Sequence, residues 1–191
     1  MKKIILIDNY DSFSYNLVHA IEEIIGHEIT VKKNDQLTID EVAAYDYIIL
    51  SPGPGLPDES GLLKAIIKKY KETKKILGVC LGLQAIAEVY GCELKNLEKV
   101  YHGIQSDIYT TDEPTLLFKN LPKPFKAGRY HSWVIDEQSI TDDLRITSRD
   151  DNGQIMSIEH RNDKVYAVQF HPESIMTLEG NLMLTNFLKN A

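Results

Sequence analysis

Apolar runs of strand length and amphipathic runs of helix length alternate through the first half of this chain, and that alternation leaves few folds open. The run KIILID (3–8) is continuously apolar between polar flanks. In the segment 11–26, Phe13, Leu17, Val18, Ile21, Ile24 and Ile25 recur at helical spacing, and Gly26 supplies a stop. EITVKK (28–33) and DYIILS (46–51) read as strands. The segment 61–75 reads as a helix with Leu62, Leu63, Ile66, Ile67 and Tyr70 on one side. KILGVC (75–80) and LQAIAEVYG (83–91) then repeat the unit. A buried strand followed by an amphipathic helix is the β-α-β unit. Several in series predict an α/β fold whose parallel sheet is covered on both faces.

The second half has a different rhythm. GIQSDIYTTD (103–112), TLLFKNL (115–121), SWVIDEQ (132–138), LRITSRD (144–150), IMSIEHR (155–161) and KVYAVQFHPE (164–173) are short strand candidates separated by turns. They predict a mixed or antiparallel extension, with 164–170 returning to the main sheet. The segment 179–191 closes as a helix. No linker, repeat or low-complexity tract interrupts the chain, so one domain is expected over 1–191.

Composition excludes several classes. The net charge of −7 is wrong for a general nucleic-acid binder. The apolar run near the N-terminus stops at Asp8, too soon for a signal-peptide core, and no segment is long enough to span a bilayer. A cytoplasmic location is therefore expected. The only cysteines, Cys80 and Cys92, form no C-x-x-C motif. In a reducing compartment Cys80 is then a free thiol.

In an open parallel sheet, ligands bind at the carboxyl ends of the strands. Three unusual stretches fall there. GVCLGLQ (78–84) puts Cys80 between a strand and a helix with no loop, flanked by Gly78 and Gly82. Such a corner thrusts a side chain outward, as in a nucleophile elbow, and the helix N-terminus favours thiolate. The plainer alternative is a small buried hydrophobe at a strand end. VQFHPES (168–174) places His171 directly after a strand and Glu173 two residues on, with Pro172 fixing the backbone between them. A carboxylate on one ring nitrogen lets a histidine present the other to a thiol, so Cys80, His171 and Glu173 make a candidate triad. ILSPGPGLPDES (49–60) forms a stiff loop whose N–H groups could receive negative charge. An ordinary turn is the simpler reading. A phosphate cradle lacks its G-x-x-x-x-G-K-[ST] pattern.

Together these residues resemble the triad, or class I, glutamine amidotransferase family. NYDSFSYNLV (9–18), ILSPGPGLP (49–57) and YHSWVI (130–135) narrow the resemblance. They are similar to the glutaminase subunits of anthranilate synthase (component II) and aminodeoxychorismate synthase. The resemblance runs from Met1 to the last helix. It implies a flavodoxin-like, three-layer fold. It also implies hydrolysis of L-glutamine through a thioester on Cys80, with His171 moving protons and Glu173 orienting it. Gly53 and Leu81 would supply the oxyanion hole. The 53–55 loop (Gly53, Pro54, Gly55), Gln84 and the backbone of Ser132 and Trp133 would hold the substrate. The implied partner is a chorismate-binding synthase subunit of the component I type, most readily that of anthranilate synthase, with aminodeoxychorismate synthase as the alternative. No cofactor or metal is implied, and His19, His27, His102 and His160 read as structural or surface residues.

Three positions depart from the family pattern. Leu83 stands where histidine is usual, so the contact around Gln84 is expected to differ. Ile104 stands where lysine is usual, at a place expected to lie away from the triad, on a partner surface or loop. Trp133 replaces a leucine. Two other classes remain. A thiol peptidase would explain Cys80 and His171 but not the glutamine-pocket resemblance. A silent binding subunit would not need an intact Cys-His-Glu set.

Overall fold

The parallel sheet forms in the order of a doubly wound fold. In the computed structural model, which describes residues 2–189, the first half runs β1 (Ile4–Asp8), α1 (Ser14–Ile25), β2 (Thr30–Lys33), β3 (Tyr47–Leu50), α2 (Leu63–Tyr70), β4 (Lys75–Val79) and α3 (Leu81–Val89). The second half runs β5 (Leu94–Asn96), β6 (Ile104–Thr110), β7 (Phe125–Arg129), β8 (Trp133–Ile135), β9 (Leu144–Asp150), β10 (Ile155–His160), β11 (Val165–Val168) and α4 (Gly180–Lys189). One nine-stranded sheet has the order β2-β1-β3-β4-β11-β10-β9-β6-β7. Its first five strands are parallel, with β11 returning beside β4 as expected. This is the flavodoxin-like order. The remaining strands add antiparallel, which is the predicted extension.

The helices cover both faces. Leu17, Val18 and Ile21 of α1 and Met183, Leu184 and Phe187 of α4 pack with Leu6, Ile49 and Val79 on one face. Leu63, Ile66 and Ile67 of α2 and Leu83 and Ile86 of α3 pack with Ile7, Leu50 and Ile76 on the other. β1, β3 and β4 are buried along their whole length, as a doubly covered parallel sheet requires. Among the described residues no helix is long and apolar enough to cross a membrane.

Some expectations need correction. The helix expected over 61–75 ends at Tyr70, because Lys75 already belongs to β4 and pairs with Tyr47. TLLFKNL (115–121) is not a strand. Its Leu117, Phe118 and Leu121 are buried in the core, while the Asn186 side chain donates to the carbonyls of Leu117 and Lys119. An amide from α4 thus takes the place of a strand partner. β5 and β7 were not anticipated. LKN and FKAGR carry little apolar signal, and β5 pairs only with β8 in a separate ribbon. The end of the last predicted helix, Asn190 and Ala191, lies outside the described residues, as does Met1.

Register decides where the chemistry gathers. Ile7 sits opposite Leu50, Leu50 opposite Gly78, and Val79 opposite Val168. The strands therefore end together. The segments leaving them, residues 9–13, 51–57, 80–84 and 169–173, meet at one edge.

Candidate active site

Cys80 occupies a backbone conformation few residues adopt, with φ 52° and ψ −101°. The position is over-determined from both sides. Its N–H donates to Val168 O at 2.8 Å, the last bond of the strand ladder, and its carbonyl accepts from Gln84 N at 3.1 Å, the first bond of α3. One residue thus closes a strand and opens a helix, which is how strain at a functional corner is held. The N–H groups of Leu81, Gly82 and Leu83 have no acceptor within the helix. The flanking glycines are steric necessities. A Cβ on Gly78 would lie 2.6 Å from the backbone of Gly82, and one on Gly82 would lie 2.6 Å from Leu50 O. Both obstacles are backbone, so neither can swing aside. Gly82→Ala should therefore cost about 1–3 kcal/mol through overpacking. That corresponds to a melting temperature roughly 3–10 °C lower. Thermal denaturation checks this, and an unchanged melt would mean that α3 has freedom to back away from β3.

His171 follows β11, and its N–H donates to Gly128 O at 3.0 Å, tying it to β7. Its Nδ1 lies 2.7 Å from Glu173 Oε1, with both side chains essentially excluded from solvent. The other ring nitrogen, Nε2, is buried without a hydrogen-bond partner among the described residues. Burial pulls the imidazole's pKa down, but Cys80 and Glu173 together hold it well above its usual value. The thiol is thus close enough to act on the imidazole, although its geometry falls short of a full hydrogen bond to Nε2. The ring of Tyr130 packs edge-on to His171 at 4.9 Å, and Phe13 packs at 6.0 Å, so the imidazole is clamped. Asp11 reaches the same cluster. Burial raises its pKa, and the charges of His171 and Glu173 act on it.

An open pocket of about 310 Å³ lies in front of the thiol, lined in part by Gly53, Pro54, Gly55, Cys80, Gln84, Ser132 and Trp133. Seven predicted residues thus share one cavity wall, while Leu81, His171 and Glu173 lie behind it. The Pro-Gly loop is pressed onto the corner. A Cβ on Gly53 would meet Asn9 O and Leu81 Cδ2 at 2.7 Å. Asn9 Nδ2 donates to Ser51 O at 2.8 Å, which secures the base of the loop. The carbonyls of Ser132 and Trp133 already accept from Leu97 N and Gln84 Nε2, so a ligand would find their other atoms.

The expectations for the departures also change. Leu83 is fully buried in the core on the α2 and α3 face and does not line the pocket, which explains why an apolar residue suits it. Ile104 opens β6 and does not line the pocket, but the stretch just ahead of it does. Tyr101 N and Gly103 N donate to His131 O and Arg129 O, which brings Val100, Tyr101 and His102 onto the pocket wall. His102 is exposed, as expected of a surface residue, and it forms part of that wall.

The sequence reading also passed over Gln169, Arg129 and His131. Gln169 is fully buried, with Nε2 3.5 Å from Cys80 Sγ. Arg129 is fully buried and bonds Asp150 Oδ2 at 2.6 Å and His131 Nε2 at 3.1 Å. Burial and the neighbouring Arg129 charge pull the pKa of His131 down to about 3. The available signal was a polar residue inside an apolar strand-end run, Val168-Gln169-Phe170, because a buried amide demands partners. Among the described residues no group of three His, Cys, Asp or Glu side chains could hold a metal ion.

A doubly wound sheet that gathers a thiol, an imidazole and a carboxylate at its carboxyl edge, before an open pocket, defines the α/β thiol-triad class of proteins. Comparison with known proteins sharpens this. The chain belongs to the glutamine amidotransferase class-I family, whose pattern it matches over residues 5–191. It is 43% identical over 188 residues to the aminodeoxychorismate/anthranilate synthase component 2 of Bacillus subtilis (strain 168), covering 97% of this chain and 95% of that one. It is also 43% identical over 187 residues to the aminodeoxychorismate synthase component 2 of Klebsiella aerogenes, covering 97% and 98%. Among solved structures, a Thermoplasma acidophilum protein described as a GMP synthase subunit superposes with a TM-score of 0.87 at 25% identity, covering 98% of this chain and 92% of that one.

Proposed function

We propose that this chain, as one domain over 1–191, is the glutaminase subunit of a two-component synthase that uses ammonia on chorismate. The observation that carries the proposal is the buried His171–Glu173 pair set beside a thiol on a strained corner. An amide is a poor acyl donor, and covalent catalysis splits its cleavage into two easier steps. Cys80 Sγ attacks the side-chain carbonyl carbon of L-glutamine. The developing oxyanion is received by the N–H groups of Gly53 and Leu81, each donor contributing roughly a hundred- to thousandfold. His171, oriented by Glu173, gives the proton that lets ammonia leave, and a glutamyl thioester remains. His171 then takes a proton from water, which hydrolyses the thioester to glutamate. The chemistry uses no cofactor. Gly53, Pro54, Gly55, Gln84, Ser132 and Trp133 hold the substrate. A cytosolic setting keeps Cys80 and Cys92 as the free thiols they are here.

The names of the relatives support a partner of the component I type, because a second component implies a first. We assign the chain to anthranilate synthesis. Aminodeoxychorismate synthesis is the alternative, supported by the equally similar Klebsiella relative. Reconstitution with each kind of chorismate-using subunit separates the two: the cognate pair makes its product from glutamine, and the other pair makes it only from ammonium salt.

Ammonia released into neutral water is protonated and ceases to be a nucleophile, so turnover without an acceptor wastes glutamine. The free chain is therefore expected to turn over slowly, with partner binding aligning the 51–57 loop. Glutaminase turnover should rise at least about tenfold when the chain is saturated with partner and chorismate. A ratio near one would show that the loop is already aligned in the free subunit.

A further inference from the structure

A chain of hydrogen-bonded groups runs from a buried ion pair to the thiol, and two groups along it with fixed roles, a guanidinium and a backbone carbonyl, set its polarity. Arg129 and Asp150 form a pair with both side chains fully excluded from solvent. A guanidinium can only donate, so His131 Nε2 must accept from Arg129 Nε. His131 then carries its proton on Nδ1 and donates to Trp133 O at 3.1 Å. Gln84 meets the same carbonyl at 3.1 Å, and a carbonyl only accepts, so Gln84 presents its NH₂ group. That NH₂ group also faces Gln169 at 3.4 Å, so Gln169 presents Oε1 to it. The Gln169 NH₂ group is left to face Cys80 Sγ at 3.5 Å. The orientation of an amide that could otherwise point either way is thus fixed by the Trp133 carbonyl through Gln84, while Arg129 fixes the tautomer of the His131 that shares this carbonyl.

We infer that Gln169 is a catalytic donor that stabilises the Cys80 thiolate, and that Gln84, itself oriented by the Trp133 carbonyl, is the positioning residue that keeps its N–H aimed at sulfur. This rests on Cys80 being the nucleophile. A sulfur anion at this corner has the helix start, the imidazole and the Gln169 amide around it. Gln169 leaves the end of β11 and is wholly buried, so water cannot replace it. Other ionisable groups facing the site are His171 with Glu173 behind it, Asp11 from the loop before α1, His131 held neutral by burial and Arg129, and Tyr101, His102 and Tyr130 on the pocket wall. The same relay joins the nucleophile to the pocket wall, because the Trp133 carbonyl and the Gln84 amide are members of both.

The test is the rate of Cys80 alkylation by iodoacetamide against pH, with the adduct located by peptide mass spectrometry. It needs neither glutamine nor partner. Gln169→Met keeps the size and removes the donor. Gln169→Glu keeps the shape and places a carboxylate against the sulfur. Both should react at least about tenfold more slowly than the parent at neutral pH, since a charge-assisted hydrogen bond is lost. Both should converge with the parent in strongly alkaline buffer, where every accessible thiol is ionised. A structural role alone would change the melting temperature and leave the pH dependence in place. If Gln169→Met does not fold, Gln169→Glu carries the same comparison. A folded variant that follows the parental rate–pH curve overturns the role of Gln169 and leaves the nucleophile untouched. A parent whose Cys80 is not alkylated ahead of Cys92 overturns the nucleophile itself.

Discussion

Cys80→Ser in the assembled complex should abolish product formation from glutamine while leaving product formation from ammonium salt near its normal rate. The expected loss is at least about a thousandfold, on the scale seen when the nucleophile of a catalytic triad is removed. The size of the effect follows from the corner. The backbone at φ 52° holds one side chain toward the pocket, and Cys92 packs in the core on the α2 and α3 face, away from the pocket lining, so it cannot replace Cys80. Burial also pushes the Cys92 thiol's pKa up, which keeps it protonated and unreactive. Serine fits the same space, so the fold and the docking surface survive. The ammonium-dependent reaction therefore serves as an internal control. Glutamine use near the normal rate in the mutant would remove Cys80 from the mechanism.

His171→Ala should come close to the same loss, on the order of 10³-fold or more, because the buried imidazole paired with Glu173 is the group placed to shuttle protons at the thiol. His131 is near, but Arg129 and burial hold it neutral with its proton committed to Trp133 O. Glu173→Gln should also lower turnover, by less than His171→Ala does. Its amide oxygen can still accept from Nδ1. The sign of the pH effect follows from the charge. Glu173 raises the pKa of His171, so removing that carboxylate's charge should let the imidazole lose its proton at a lower pH. Titration of the His171 ring by NMR checks the direction. Equal losses for the two variants would give Glu173 a part beyond orientation.

The parallel half of the fold was legible because its signals are local. Continuous apolar strands, helical spacing and a terminal glycine at 26 each report on a few neighbouring residues, and the sheet follows from their alternation. The extension was legible only in kind. FKAGR (125–129) became a strand because β6 lies beside it, not because of its own side chains. TLLFKNL had strand-like residues, but the core claimed them as a plug. The site divides in the same way. Cys80, His171 and Glu173 sit in motifs whose chemistry can be read within a few residues. The relay through Asp150, Arg129, His131, Gln84 and Gln169 joins separate elements, and its members lie as far as 89 residues apart in pairs such as Cys80 and Gln169. Only the folded chain brings such groups together. Leu83 makes the same point in reverse: its place beside Gln84 in sequence suggested the pocket, but one helical step turned it into the core.

The most direct measurement is mass spectrometry of the complex after incubation with a diazoketone analogue of glutamine, followed alongside glutamine-dependent activity. One adduct per chain should form, on Cys80, at a rate slowed by free glutamine. Activity with glutamine should fall in step with labelling while activity with ammonium salt persists. Labelling confined to Cys92, or complete labelling of Cys80 with glutamine turnover intact, would contradict the assignment of this edge of the sheet as the glutaminase site.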